Sequence, residues 1–151
     1  MNNTLDSVLK KKLEVLKKEI TKPENVIILA EELKKGIYTR TKLGYGVSEM
    51  FGKQFKLPAL SDDYKIWRKK HKVDSTSSAS KSNLTQSGEM LNSLKVKPTS
   101  TGSQIVIDGT RNQKVKQYTE EAGRPFFYVS SVQLRELVVK LQKMISKAIK
   151  K

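Results

Sequence analysis

Leu5, Val8, Leu9, Leu13, Leu16 and Ile20 recur at three- and four-residue intervals, with lysines filling most positions between them. That spacing puts apolar side chains along one side of an α-helix. The run ends at Thr21-Lys22-Pro23-Glu24-Asn25, where Pro23 and Glu24 suit the first turn of a second helix. Ile27, Ile28 and Leu33 carry that helix to Gly36, which reads as a C-terminal stop. Residues 1–35 are therefore expected to form an antiparallel helical hairpin that buries two apolar stripes. Beyond it the period is lost, and Gly44, Gly46, Gly52 and Pro58 predict an irregular passage from Ile37 to Leu60.

Order returns at "SDDYKIWRKKHK". Ser61 and two acids make an N-cap and first turn, and the closing cations suit a helix C-terminus. Tyr64 and Trp67, three apart, read as the buried edge of this helix. Residues 74–83, "DSTSSASKSN", are small and polar throughout and predict a mobile loop rather than a domain linker. The pattern then predicts a short helix around Ser87 to Leu94 and a strand from Leu94 to Lys97. A "PTSTGS" turn follows, and a returning strand from Gln104 to Asp108 closes a β-hairpin. "NQKVKQYTEE" reads as a weakly amphipathic helix with Val115 and Tyr118 on one side.

The last helix carries the strongest local signal. Ser130 followed three residues later by Gln133 forms a capping box, in which each side chain satisfies an amide the helix leaves orphaned. Leu134, Leu137, Val138, Leu141, Ile145 and Ala148 make a continuous stripe, with Arg135, Lys140, Lys143, Lys147 and Lys150 largely off it. Each large side chain buried contributes roughly 1.5–3 kcal/mol, so a docked helix with a basic outer face is expected. Just before it, Gly123 suits a positive φ and Arg124 precedes a proline, which favours extended backbone. Phe126 and Phe127 should then point to opposite sides, one of them into the core. This bend is expected to lock the helix onto a sheet.

Composition adds one anomaly to this picture. The 151 residues, 36% of them hydrophobic, suit one domain with a modest core, but the formal charge is +15. The excess is densest at the end, with six basic and one acidic residue from Ser130 to Lys151. Such a field favours polyanions, an anionic membrane surface or an acidic protein. No apolar run reaches the length of a membrane span, and no secretory leader is apparent. With no cysteine, disulfides, thiolate metal sites and thiol nucleophiles are excluded.

Candidate chemistry is sparse. "GYGVSEMFGKQ" superficially resembles a phosphate loop. However, Gly46 and Gly52 enclose one residue too many, and Gln54 stands where a magnesium-ligating hydroxyl is needed. His71, the single histidine, sits in a basic run where a solvated side chain is expected, and no partner exists for a metal site. The carboxylates come as adjacent pairs, Glu31–Glu32, Asp62–Asp63 and Glu120–Glu121, which diverge instead of facing across a cleft. Neither enzymatic activity nor a cofactor is expected. Lysine far outnumbers arginine, so phosphate attraction without base readout is the nucleic-acid behaviour the chain supports.

The ordered set "TRTKLGYGVSEMFGKQFKLPALSDDYKIWRKKHK", "SNLTQSGEMLNSLKV", "QIVIDG" and "AGRPFFYVSSVQLRELV" resembles the phage virion morphogenesis proteins, the tail-completion and neck components of long-tailed phages. Gly52-Lys53, Phe55, Leu60-Ser61 and Tyr64 fit one family segment. Leu84, Ser87-Gly88, Met90, Ser93 and Leu94 fit a second, and Arg124-Pro125-Phe126 a third. The match spans about Thr39 to Lys147. It departs from the family at "NQKVKQYTEEAG", which is short and lacks the usual histidine.

The resemblance implies an α+β subunit: a small antiparallel sheet packed against helices, an N-terminal helical hairpin, a long loop and a long C-terminal amphipathic helix. It implies a homo-oligomeric ring at the head–tail junction, assembled in the host cytoplasm, with roughly six subunits rather than twelve. Neighbouring neck, connector or tail proteins and double-stranded DNA are the implied partners, and a membrane is not. Lys140, Lys143, Lys147, Lys150 and Lys151 are the residues expected to border the DNA channel. Ser75, Thr76, Ser77, Ser78, Arg124, Phe126 and Phe127 are those expected to meet a neighbouring subunit. A non-specific nucleic-acid-binding protein outside any particle is the alternative.

Overall fold

The computed structural model describes residues 2–71 and 88–149, without the side chains of residues 2–6 and 9. The fold is α+β, with an N-terminal helical hairpin and a long C-terminal helix. Helix α1 (Asn2–Ile20) turns at Thr21-Lys22 into α2 (Pro23–Lys42), which has its proline in the first turn as expected. Asn25 Nδ2 donates to the Glu19 carbonyl at 2.7 Å and fixes the corner.

Helix α2 does not stop at Gly36 but continues to Lys42. The glycine serves packing instead: a Cβ there would lie 2.3 Å from Gln133 Nε2, so its absence admits a side chain from the last helix. The passage from Ile37 to Leu60 is correspondingly more regular than expected. After α2 come two short antiparallel strands, β1 (Tyr45–Val47) and β2 (Gln54–Lys56), paired Tyr45 to Lys56 and Val47 to Gln54. Their connecting tip carries Met50 and Phe51, both largely exposed.

Helix α3 (Asp62–Lys70) is capped by Ser61, whose Oγ accepts from the Tyr64 amide at 3.3 Å. The expectation that Tyr64 and Trp67 are buried is corrected: they are 40% and 45% exposed, and Arg68 is the residue turned inward. The two rings stack at 5.7 Å, and His71 stacks on Trp67 at 4.6 Å, so the aromatic faces are covered by one another instead of by the core. The loop at 74–83, with Ser75, Thr76, Ser77 and Ser78, lies outside the described residues, as do Ser87, Lys150 and Lys151.

A short helix α4 (Glu89–Asn92) leads into β3 (Leu94–Thr99) and β4 (Gly102–Ile107), a hairpin in continuous register from Leu94–Ile107 to Thr99–Gly102. Helix α5 (Thr110–Glu121) forms as expected but buries none of its side chains, and Val115 and Tyr118 are exposed. Helix α6 (Ser131–Ile149) closes the chain. The core lies where α2 crosses the β3–β4 hairpin: Ile37, Met90, Leu91, Leu94, Ile107 and Phe126 form one buried cluster, flanked by Tyr38, Ile105 and Phe127.

The body of α6 does not lie on a sheet. It runs along α1 and α2 as a third helix. Leu134, Leu137, Leu141, Ile145 and Ala148 are half-buried there, while Val138 is exposed. A stripe at 3.6-residue period identifies the side that packs, not its partner, and helices meet helices as readily as sheets. Among the described residues, no helix is long and apolar enough to cross a membrane.

Candidate functional site

Two regions hold the residues singled out by the sequence: the bend before α6 and the cationic sides of the helices. The bend starts where α5 ends. Gly123 takes φ +71° with nothing near its missing Cβ, so the glycine is there for its backbone angle alone. The Arg124 amide donates to the Thr119 carbonyl at 2.8 Å, closing the end of α5.

From there the chain crosses the β1–β2 hairpin. The Pro125 carbonyl accepts from the Val47 amide at 3.0 Å, the Phe51 amide donates to the Val129 carbonyl at 2.7 Å, and the Ser131 amide donates to the Gly52 carbonyl at 3.0 Å. Gly46 makes the first of these contacts possible, because a Cβ there would sit 2.4 Å from the Pro125 oxygen. In "GYGVSEMFG", Gly46 and Gly52 thus serve close backbone approach, while Gly44 takes a positive φ of 87°.

The capping box forms as expected. Gln133 Oε1 accepts from the Ser130 amide at 3.0 Å, and Ser130 Oγ accepts from the Gln133 amide at 3.2 Å. Ser130 Oγ also accepts from Gln54 Nε2 at 3.0 Å. What the sequence did not announce is Arg40. Its guanidinium is buried and donates to Gln133 Oε1, to the Phe126 carbonyl and, at 3.0 Å, to the Tyr128 carbonyl. Burial pushes its pKa down to about 10. Three oxygen acceptors oppose that shift by favouring the cation, so Arg40 stays charged at neutral pH. An arginine in "TRTK" has no local mark of burial, since its partners lie 86 to 93 residues away.

Among the bend residues expected to meet a neighbour, Phe126 is 0% exposed and belongs to the chain's own core. Arg124 Nη2 donates to the Ala59 carbonyl at 3.1 Å, an internal tie. Phe127 is half-buried, edge-on to Phe126 at 6.2 Å, with the Lys116 ammonium 5.4 Å from its ring centre.

The channel candidates divide as well. Lys143 and Lys147 are exposed, but Lys140 Nζ pairs with Glu32 Oε1 at 2.6 Å and ties α6 to α2. This pair is substantially exposed, so Lys140→Gln should cost only about 0.5 kcal/mol in denaturant unfolding at neutral pH. The hydrogen bond and charge of Lys140 hold the Glu32 carboxyl below its ordinary value of 4.5. A lowered carboxylate pKa means the contribution is fully present above that value and lost as the pH falls through the lowered one. The difference between wild type and Lys140→Gln should therefore vanish in acid.

The lysines between the apolar positions of α1 add further cations. Lys10 and Lys17, and Lys11 and Lys18, repeat at seven-residue spacing on one side of the helix, all exposed. None forms an ion pair among the described residues, whereas Lys22, Lys34, Lys65, Lys95 and Lys116 all do. The spacing was available in the sequence; that α1 turns this side outward was not. Among the described residues no three His, Asp or Glu side chains are grouped so as to hold a metal ion. Comparison with protein-family models, with curated proteins and with solved structures finds no match to this chain.

Proposed function

We propose that this chain is a structural virion subunit of the phage neck or tail-completion type, acting without enzymatic chemistry in a homo-oligomeric ring around the DNA exit path. One observation carries the reading beyond the motif resemblance. Among the described residues, 18 large apolar side chains are exposed and only 10 hydrophobic residues are buried. An isolated soluble domain scatters its exposed apolar residues singly, whereas here they recur on the β1–β2 tip, on α1 and along α6. Surface of that kind suits burial against copies of the same subunit and against neck, connector or tail neighbours. Diffuse lysine charge suits a wall that tolerates passing phosphates without reading bases.

The lysine side of α1 favours a second reading, a non-specific duplex-binding protein outside a particle. One experiment separates the two. Light scattering and negative-stain imaging of the purified chain should give closed rings at several times the 17.1 kDa subunit mass. A stable monomer at high concentration that binds duplex DNA with a steep salt dependence would overturn the ring and support the second reading.

A further inference from the structure

Phe51 is the only non-glycine residue with positive φ among the described ones, at +61°. A bulky aromatic residue rarely adopts that conformation, and the strain persists only where surroundings enforce it. They do so here through the Phe51–Val129, Gly52–Glu49 and Ser131–Gly52 backbone hydrogen bonds. The result is a rigid tip that exposes Met50 by 54% and Phe51 by 52%. Nothing inside the subunit gains from that exposure.

A receiving surface exists at the other end of the same molecule. Between the α1–α2 turn and the β3–β4 turn lies an open groove of about 390 Å³, walled by Ile20, Pro23, Val26, Ile27, Pro98 and Gly102. None of its lining residues is charged. Ser103 also lines it, and its buried Oγ has no hydrogen-bond partner among the described residues.

We propose that subunits join head to tail, the Met50–Phe51 tip of one copy seating in this groove on the next. The inference rests on the ring reading above and names the interface that reading requires. Charge selects a second copy as the occupant. In a chain of +15, self-contact is favoured where cations are fewest, and the tip from Gly44 to Gly52 carries a single charge, Glu49. The charges flanking the groove's wall residues in sequence, Glu19, Lys22, Glu24 and Lys97, cancel, and Lys22 is already paired with Glu19, so the groove, like the tip, is free of the cationic excess that opposes self-contact.

Geometry then sets the symmetry. The tip is bonded to the start of α6, which meets α2 at Gly36 and Arg40, whereas the groove uses α2 at Val26 and Ile27. Thirteen residues of helix separate Ile27 from Arg40, about 20 Å, so a subunit cannot fill its own groove. A knob and groove on opposite ends make a heterologous contact, which closes into a ring or continues as a filament.

Two variants of the full chain test this. Phe51→Gly removes the ring at a position whose φ favours glycine, so its thermal midpoint should stay at or above that of wild type while the assembled peak is lost. The absence of native cysteine permits a covalent test: Met50→Cys combined with Thr101→Cys should give a ladder of disulfide-linked multimers on mild oxidation, and each single variant dimers at most. If wild type assembles but Phe51→Gly assembles equally well and the double variant gives no ladder, the interface is wrong and the ring reading stands. If wild type does not assemble at all, both fall together.

Discussion

Phe126→Ala is expected to destabilise the protein by about 3–5 kcal/mol, the range for emptying an aromatic side chain from a tight core. The side chain is fully buried among Ile37, Met90, Leu91, Leu94 and Ile107, which come from α2, α4 and both strands of the β3–β4 hairpin. Phe126 is the contribution of the bend to that cluster, so truncation opens a cavity and loosens the only segment that leads into α6. Total stability of small domains is about 5–15 kcal/mol, and a loss of this size leaves a visibly unfolded fraction near physiological temperature. Phe126→Leu keeps most of the volume and should cost less, about 1.5 kcal/mol. Denaturant unfolding at neutral pH measures both. A Phe126→Ala loss below about 1 kcal/mol would show that the bend is held by its hydrogen bonds and not by this side chain.

The bend also shows how far the sequence could be read. Gly123 and the Ser130/Gln133 box are local signals, satisfied within a few residues, and each formed as its chemistry dictates. Gly36 failed as a helix stop because a glycine that ends a helix and one that makes room for a neighbour look the same until that neighbour is placed. Gln133 of α6 is what occupies the space, and it lies nearly a hundred residues away. The β1–β2 hairpin escaped notice for another reason: three-residue strands are too short to show a period of two. The apolar stripe of α6 was evident, but its docking on α1 and α2 follows from the order of layers, which no local period encodes.

Exposed apolar side chains and an excess of cations make opposite demands on one molecule. The first favours association with copies of itself, and the second opposes it by repulsion unless contacts are confined to weakly charged patches. The β1–β2 tip and the lining of the groove between the α1–α2 and β3–β4 turns are such patches; Lys17 and Lys18 come within a helical turn of the groove, and Lys10, Lys11, Lys143 and Lys147 are not among its lining residues. A ring built through the former keeps the latter on surfaces that polyanions can reach, so assembly and phosphate tolerance need not compete.

The second large effect is expected at Arg40. Arg40→Ala should cost about 3 kcal/mol, because it strands the Phe126 and Tyr128 carbonyls and removes one of two donors to Gln133 Oε1. The loss is partly offset, since a buried cation with no carboxylate partner among the described residues carries a desolvation penalty that the substitution removes. Arg40→Met tests that balance by filling the volume without charge and should cost less than alanine. Arg40→Lys keeps the charge but offers one ammonium where a planar fork reaches three oxygens, so it should not restore wild-type stability. The sign of the pH dependence follows from the lowered pKa. A cation whose folded pKa falls to about 10, below its ordinary unfolded value, binds fewer protons folded than unfolded only between those two values. The desolvation penalty is thus present in full below about pH 10 and relieved only above it. Between pH 5 and 9, roughly, the stability gap between wild type and Arg40→Met should stay constant when followed by denaturant unfolding. A gap that closed within that window would mean the guanidinium gives up its charge far more easily than its three oxygen acceptors allow.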